Sequence, residues 1–334
     1  MSTINDVAKL ANVSVKTVSR ILTGQTNVSD KIREKVEAAM KTLEYYPSAA
    51  ATALRKKTSG IVSLITDNLT TTPDSFEIVA GVQSVCEKQG KMLLIGETGG
   101  NAKNFTRIAE DFRRHRAEAI IYATFFHKQV HINESFNRCP LILVNCFEES
   151  LRHATILPDD ETGGYSAAKM LLEAGHKRIC HLTLHLDMPA AKLRFKGYQH
   201  ALKDAGIKYD EKLVRLGVTA DTKDEFVNMP QLLDSIFKLD EPPTAIMCGN
   251  DKMAMRVYML VRRMGYRIPE DISIVGYDNY SMIAENLLPQ LTTVQLPYFQ
   301  MGIKAAELAV NSNASPEVYK IVGDLITRDS VLPR

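Results

Sequence analysis

The chain reads as a small all-helical unit followed by a doubly wound α/β domain, and three patterns carry that reading. Residues 3–22 hold two short helical segments around a tight turn, each with its own capping residue. Past Gly60, short apolar runs alternate with amphipathic stretches, as parallel strands and crossover helices do. At 334 residues the chain has room for two or three domains and a sizeable core.

Thr3 and Asp6 have the spacing of a capping box, which starts a first helix, and Ile4, Val7, Ala8 and Ala11 fall on one of its faces. Asn12 stands where the chain must turn, because asparagine tolerates the left-handed conformation. Ser14 caps a second helix over 15–22 that turns Val18, Ile21 and Leu22 inward and leaves Val15, Lys16, Ser19 and Arg20 outward. This helix-turn-helix predicts a reading helix for a DNA major groove: Arg20 suits bidentate contact with guanine, Lys16 a base or phosphate, and Val15 a thymine methyl. The competing reading is a plain three-helix bundle with a solvated basic face. Ser29 caps a third helix carrying Ile32, Val36, Ala39, Met40 and Leu43.

Ser48 then opens a short alanine-rich stretch that ends in Arg55, Lys56 and Lys57. Such a helix is shorter than the roughly 12 to 15 residues that isolated helices need, so it is expected to fold only when something holds it. Residues 1–60 carry ten Lys/Arg against five Asp/Glu, although the whole chain is only +2, so the polyanion-binding end is the amino-terminal one.

Further on, strands are expected near 61–65, 92–95, 119–122, 141–146, 179–184, 245–248 and 272–277, and helices near 75–89, 104–115, 162–174, 194–205, 251–264 and 298–311. Parallel sheets bind ligands at the carboxyl ends of their strands, where Asp67, Asn145, Asn250 and Asp278 stand. Amide and carboxylate groups at four strand ends suit a polyhydroxylated ligand, which needs donors and acceptors together. The plainer alternative is that such residues cap the following helix, as Asn250 before Asp251 can do.

The stretch DVAKLANVSVKTVSRIL, the Tyr-x-Pro-Ser-x-x-Ala segment ending at Leu54, Arg194-x-x-Gly197-Tyr198, Cys248-Gly-Asn-Asp251, Gly276-Tyr-Asp-Asn279 and Leu291-Thr-Thr293 together resemble the lactose/galactose-repressor family of bacterial transcription regulators over essentially the whole chain. The resemblance implies a headpiece at 1–45, a hinge helix and linker at 46–58, and a periplasmic-binding-protein-like effector and dimerisation domain at 59–334. That domain would have two subdomains, about 60–157 with 290–317 and about 158–289 with 318–332, and a ligand between them. It assigns Val15, Lys16 and Arg20 to bases, Ser14, Thr17, Ser19 and Asn27 to phosphates, Leu54 to a minor-groove wedge and Ala51 to the contact of two hinge helices. Arg194, Asn250, Asp278 and Asn145 fall on its ligand positions, and Asp74, Ser75 and Phe76 on a helix start facing the ligand. Val218 stands where an aromatic platform is common, with Phe226 as its replacement.

The function implied is a repressor that binds double-stranded operator DNA as a homodimer and is released by a sugar, with no cofactor. Thr71-Thr-Pro73 and Leu157-Pro-Asp-Asp160-x-x-Gly163-Gly-Tyr165 resemble regulators of sucrose or raffinose operons, which points to a plant-type oligosaccharide. The alternatives are a sugar- or nucleobase-binding receptor of the same architecture, or a regulator that uses its ligand as corepressor. No heptad tail separates Arg328 from Arg334, so a dimer is expected rather than a tetramer.

Other classes find little support. Asp6 and Lys9 interrupt any signal peptide and no apolar run is of membrane-spanning length, so a cytoplasmic protein is expected. Cys86, Cys139, Cys146, Cys180 and Cys248 are odd in number and form no C-x-x-C, which favours reduced core thiols. His181, His185 and Asp187 lack a further ligand at metal spacing, and Asp159-Asp160 reads as a helix cap. Gly96, Gly99 and Gly100 match no phosphate loop, and no serine nucleophile elbow is present, so no enzyme is expected.

Overall fold

A computed structural model of the chain describes residues 2–23, 25, 27–46, 58–68, 76–132, 139–220, 222–311 and 314–334. It divides into two compact units, one ending at Gly60 and the other spanning Ile61–Arg334.

The first unit holds α1 (Ile4–Leu10), α2 (Val15–Leu22) and α3 (Asp30–Thr42). Thr3 and Asp6 form the reciprocal box, with the Thr3 amide donating to Asp6 Oδ2 at 2.8 Å. Asn12 takes φ 52°, turning the chain so that Ser14 can accept from the Thr17 amide at 3.1 Å and start α2. Val7, Ala8, Val18, Ile21, Val36 and Ala39 form the buried centre. Ser29 stands at the N-cap of α3 with extended backbone but makes no side-chain cap bond, so that helix is started by backbone geometry and packing rather than by the expected hydroxyl. The hinge segment, with Ala51 and Leu54, lies outside the described residues, as do Asp74 and Ser75.

The second unit contains two six-stranded sheets, each the centre of a lobe. The first sheet has the order β11-β5-β4-β3-β1-β2, from β1 (Ile61–Thr66), β2 (Met92–Glu97), β3 (Ala119–Gln129), β4 (Leu141–Phe147), β5 (Ala154–Pro158) and β11 (Val318–Ile321). Its helices are α4 (Phe76–Lys88), α5 (Ala102–Arg114) and α11 (Tyr298–Asn311). The second has the order β12-β10-β9-β8-β6-β7, from β6 (Ile179–Thr183), β7 (Val214–Leu216), β8 (Ala245–Cys248), β9 (Ser273–Asp278), β10 (Thr292–Gln295) and β12 (Leu325–Ile326). With it go α6 (Asp160–Glu173), α7 (Pro189–Asp204), α8 (Met229–Phe237), α9 (Asp251–Arg263) and α10 (Ser281–Ala284). All pairings are parallel except β10 with β12. Strands buried on both faces explain the unbroken apolar runs.

The chain crosses between lobes three times, and two crossings differ from expectation. Residues 292–295 pair with β9 in the second sheet, and 318–321 pair with β5 in the first. The later crossings therefore lie at 296–297 and 322–324, not at 290 and 318. The crossings are joined to one another: the Asp159 amide donates to Ile321 O and the Gln295 amide to Asp324 O, both at 2.8 Å. A Cβ on Gly323 would stand 1.8 Å from Gln295 O, so only glycine lets the second and third crossings approach this closely.

All five cysteines are free thiols, four of them buried. No helix among the described residues is long and apolar enough to cross a membrane.

Candidate functional site: an exposed helix face and an interlobe cleft

On α2 the exposed positions are Val15 and Lys16, with Thr17, Ser19 and Arg20 partly covered, while Ser14 and Asn27 are exposed beside it. Thr23 Oγ1 donates to the carbonyls of Ser19 and Arg20 at 3.0 and 2.9 Å, closing the last turn below the arginine. Ser14 already caps the helix, so its hydroxyl reaches a further partner only while keeping that bond. Of the predicted DNA-facing residues, these seven fall on one unit and in one stretch.

Between the lobes of the second unit lies a cleft of 1140 Å³. Its most constrained group is Arg194, carried by α7. Gly164 and Gly197 let α6 and α7 cross in near contact, since a Cβ on either would stand 2.3 Å from Arg194 O or 2.1 Å from Glu161 O. That approach puts Arg194 Nε 2.8 Å from Asp160 Oδ1, at the start of α6. Nη1 donates to Gly249 O at 2.7 Å and lies 4.0 Å from Asp278 Oδ1, and the guanidinium carbon is 3.5 Å from the Tyr277 ring centroid. The other Asp160 oxygen is 3.0 Å from Nδ1 of His127, which belongs to the opposite lobe.

Burial opposes charge on Asp160, but Arg194 and the His127 hydrogen bond outweigh it and hold the carboxyl below the usual range. Burial likewise opposes the Arg194 charge, and Asp160, Tyr277 and Asp278 more than reverse that, so the guanidinium is fixed as a cation. The result is a buried ion pair with every strong partner aligned, extended by His127 from one lobe to the other.

Asn145, at the end of β4, adopts φ 57° and donates through Nδ2 to Thr124 O and Phe125 O at 3.0 and 2.9 Å. Its Oδ1 is buried without a hydrogen-bond partner among the described residues. Asn250 caps α9, with Oδ1 accepting from the Met253 amide at 2.8 Å, which leaves Nδ2 as the group it can offer. Asp278 sits at φ 122°, strained for any residue but glycine. The corner after it is held by Asp251, which accepts from the Tyr280 amide at 2.8 Å and from Thr293 Oγ1 at 2.7 Å.

Asn145, Arg194, Asn250 and Asp278 thus line one cleft. Asp67 does not line it: its carboxylate is buried, accepting from the Phe125 amide at 2.9 Å and from Lys128 Nζ at 2.7 Å, and so shapes the β3 end that does. Phe76 is 55% exposed and also lies off the cleft lining. Val218 lines the cleft, but Phe226 packs into the core of the second lobe instead of replacing it. His181 is buried against Tyr198, whereas His185 lies beside Asp187 at the cleft, so the sequence neighbours diverge.

Sequence reasoning missed His127 and misread Asp160. Asp159 is the cap, accepting from the Thr162 amide at 3.2 Å, but Asp160 is the charge partner of Arg194. The signal for Asp160 was a second acid one residue beyond a sufficient cap. His127 gave none, because β3 runs past the expected 122 through an irregularity between Ala123 and Lys128 that re-aims its end.

Comparison with known proteins adds an independent line. Residues 3–48 match the family model of bacterial regulatory proteins of the lacI family, and residues 168–331 match the periplasmic binding protein-like domain. An HTH-type transcriptional repressor PurR of Vibrio atlanticus is 33% identical, over 99% of each chain. A ribose operon repressor of Haemophilus influenzae is 32% identical over 95% of this chain and 93% of that one. Among solved structures, a LacI-family transcriptional regulator of Rhizobium etli superposes with a TM-score of 0.75 at 31% identity, covering 82% of this chain and 99% of that one. The lac repressor dimer bound to operator and the anti-inducer ONPF shares the fold, with a TM-score of 0.80 at 24% identity over 99% of both chains. A capped helix-turn-helix, two parallel-sheet lobes around a cleft and full-length identity to repressors agree: the chain belongs to the lacI family of bacterial regulatory proteins, as a DNA-binding transcriptional repressor with a ligand-binding domain.

Proposed function

We propose that this repressor controls a carbohydrate-utilisation operon, binds a pseudo-palindromic operator as a homodimer and is released when a sugar occupies the cleft. One observation carries the reading: Asn145, Arg194, Asn250 and Asp278 bring an unsatisfied acceptor, a fixed cation, an amide and a carboxylate to a single cavity. Hydroxyl groups both give and take hydrogen bonds, so a polyol meets this set better than a ligand with acceptors alone. The name of the ribose operon repressor among the relatives supports a carbohydrate. A sucrose or raffinose effector gains no such support. Of the residues that suggested it, 71–73 lie outside the described residues, and others are needed by the fold: Asp159 caps α6, Asp160 pairs with Arg194, and Gly164 allows the helix crossing.

For the switch, a sugar bound to Arg194 and Asp278 acts on Asp160 through the guanidinium, and Asp160 is bonded to His127 of the other lobe. Occupancy therefore changes how the lobes bind each other, which biases their closure and the headpieces' hold on DNA. The base-reading roles are carried by Val15, Lys16 and Arg20, and the phosphate roles by Ser14, Thr17, Ser19 and Asn27.

The test is fluorescence anisotropy of labelled intergenic DNA from the protein's own locus, titrated with monosaccharides and disaccharides. Tight, salt-dependent binding reversed by one sugar is expected. DNA binding that no sugar affects would refute the carbohydrate, and no binding even at low salt would refute the assigned headpiece.

A further inference from the structure

Asn250 and Asp278 reach the cleft from two different elements, the start of α9 and the end of β9, and Asp278 does so on strained backbone: it takes φ 122° and Asn279 after it φ 56°. Such a corner persists only where its surroundings impose it. On one side the constraint is main chain, since the Leu296 amide donates to Asp278 O at 3.2 Å. On the other side it is one buried carboxylate.

Asp251 stands between Asn250 and Lys252, which both line the cleft, yet it is itself fully buried and does not border the cavity. Its Oδ2 accepts from the Tyr280 amide at 2.8 Å, just past the corner, and its Oδ1 from Thr293 Oγ1 on β10 at 2.7 Å. Gly276 makes that reach possible, because a Cβ there would stand 2.1 Å from Oδ1. Thr293 Oγ1 in turn accepts from the Asn279 amide at 3.4 Å, and Arg328 Nη2 donates to Asn279 Oδ1 at 2.8 Å. Asn250, the preceding residue, caps the same helix. One side chain therefore ties the helix start that carries Asn250 to the corner that carries Asp278.

An acid at this place opposes the stability of the fold. Burial pushes the Asp251 carboxyl up to about 7, outweighing the hydrogen bonds from Thr293 and from the Tyr280 and Tyr277 amides. An apolar side chain of similar size would fill the space without that cost. What the carboxylate adds is direction: two acceptors aimed at two fixed donors around the corner.

Resting on the reading of the cleft as the site of a sugar effector, we infer that Asp251 is the positioning residue of that site, setting Asn250 and Asp278 against each other without touching the sugar. Sugar affinity then depends on the hydrogen bond between Asp251 and Thr293, although neither group borders the cavity.

Calorimetric titration of the full-length chain with ribose, glucose, galactose, sucrose and lactose, beside operator binding and a thermal melt, tests this. Thr293→Val keeps the shape of the side chain and removes its hydroxyl, and should weaken binding of the sugar that the parent takes by about tenfold or more. Thr293→Ser keeps the hydroxyl and should stay within about threefold, although it loses a buried methyl. Asp251→Asn can still accept from the Tyr280 amide and donate to Thr293, and should fall between the two. Operator affinity without sugar should stay within about threefold of the parent in all three. Lower thermal stability with unchanged sugar affinity would mark a purely structural aspartate and overturn the inference. Equal weakening by Thr293→Val and Thr293→Ser would trace the loss to packing and overturn it as well, leaving the carbohydrate reading standing. If none of the sugars binds the parent, that reading falls and the inference with it.

Discussion

On α2 the residues assigned to DNA stand along a regular helix, whereas three residues lining the cleft stand on backbone that most side chains avoid: Asn145 at φ 57°, Leu151 at 46° and Asp278 at 122°. Lys16 is exposed and long, able to adjust to a phosphate or a base edge, while Arg194 is held by Asp160, Gly249 and the Tyr277 ring before any ligand arrives. The difference follows from the partners. A polyanion supplies most of its own field and tolerates adjustment. The neutral sugar proposed above offers little, so its site must be arranged beforehand, at a cost of about 1 to 3 kcal/mol for each strained residue.

The sharpest way to break this contrast is to remove a guanidinium from each surface. Arg194→Met leaves Asp160 as a buried carboxylate without its cation and should lose about 3 to 5 kcal/mol of stability in urea denaturation, together with the response to effector. Arg20→Ala should cost about 1 to 3 kcal/mol of operator affinity by anisotropy, with stability within about 0.5 kcal/mol of the parent. Comparable destabilisation by both would show that the two surfaces are equally built into the fold.

Acid probes the interior of the second lobe through His181. Burial pushes His181 down to about 3. Its folded value lies below that of the unfolded chain, so the unfolded state takes up protons first. Stability from this group is full above about pH 6.5 and declines as the pH falls toward 3. At pH 5 the loss is about 2 kcal/mol, and His181→Phe should flatten the decline between pH 7.5 and 5 relative to the parent. An unchanged slope would mean that His181 is protonated in place. The smallest effect is expected at Thr3→Ala, which breaks the capping box and should cost about 1 kcal/mol, read as faster amide exchange across α1 in the full-length chain.

The same contrast governs what can be read from sequence. The first unit is written in local signals: Thr3 with Asp6, Asn12 at the turn, Ser14 before α2, all within a few residues of their partners. The larger strands and helices of the second unit are legible for the same reason. β5, β7, β10, β11 and β12 were not among the expected strands, nor α8 among the helices, because the strands run only two to five residues and α8 only nine, too short for a clear period. Asn145, Arg194, Asn250 and Asp278 were legible as strand-end residues or through the family resemblance. Asp160 and His127 were not, because the bond joining them spans 33 residues and two lobes. Asp67 shows the converse: a carboxylate at the right strand end whose capacity is taken by Phe125 and Lys128.

Two of the three interlobe passages carry proline, Pro158 and Pro297, and all three are tied side by side by backbone hydrogen bonds. A single tether would let one half wander in any direction. Three laced together, two of them stiffened by proline, are expected to act as the spine of a book, favouring opening and shutting over twisting or sliding. On the switch proposed above, binding of a molecule between the pages is expected to emerge as movement along one track.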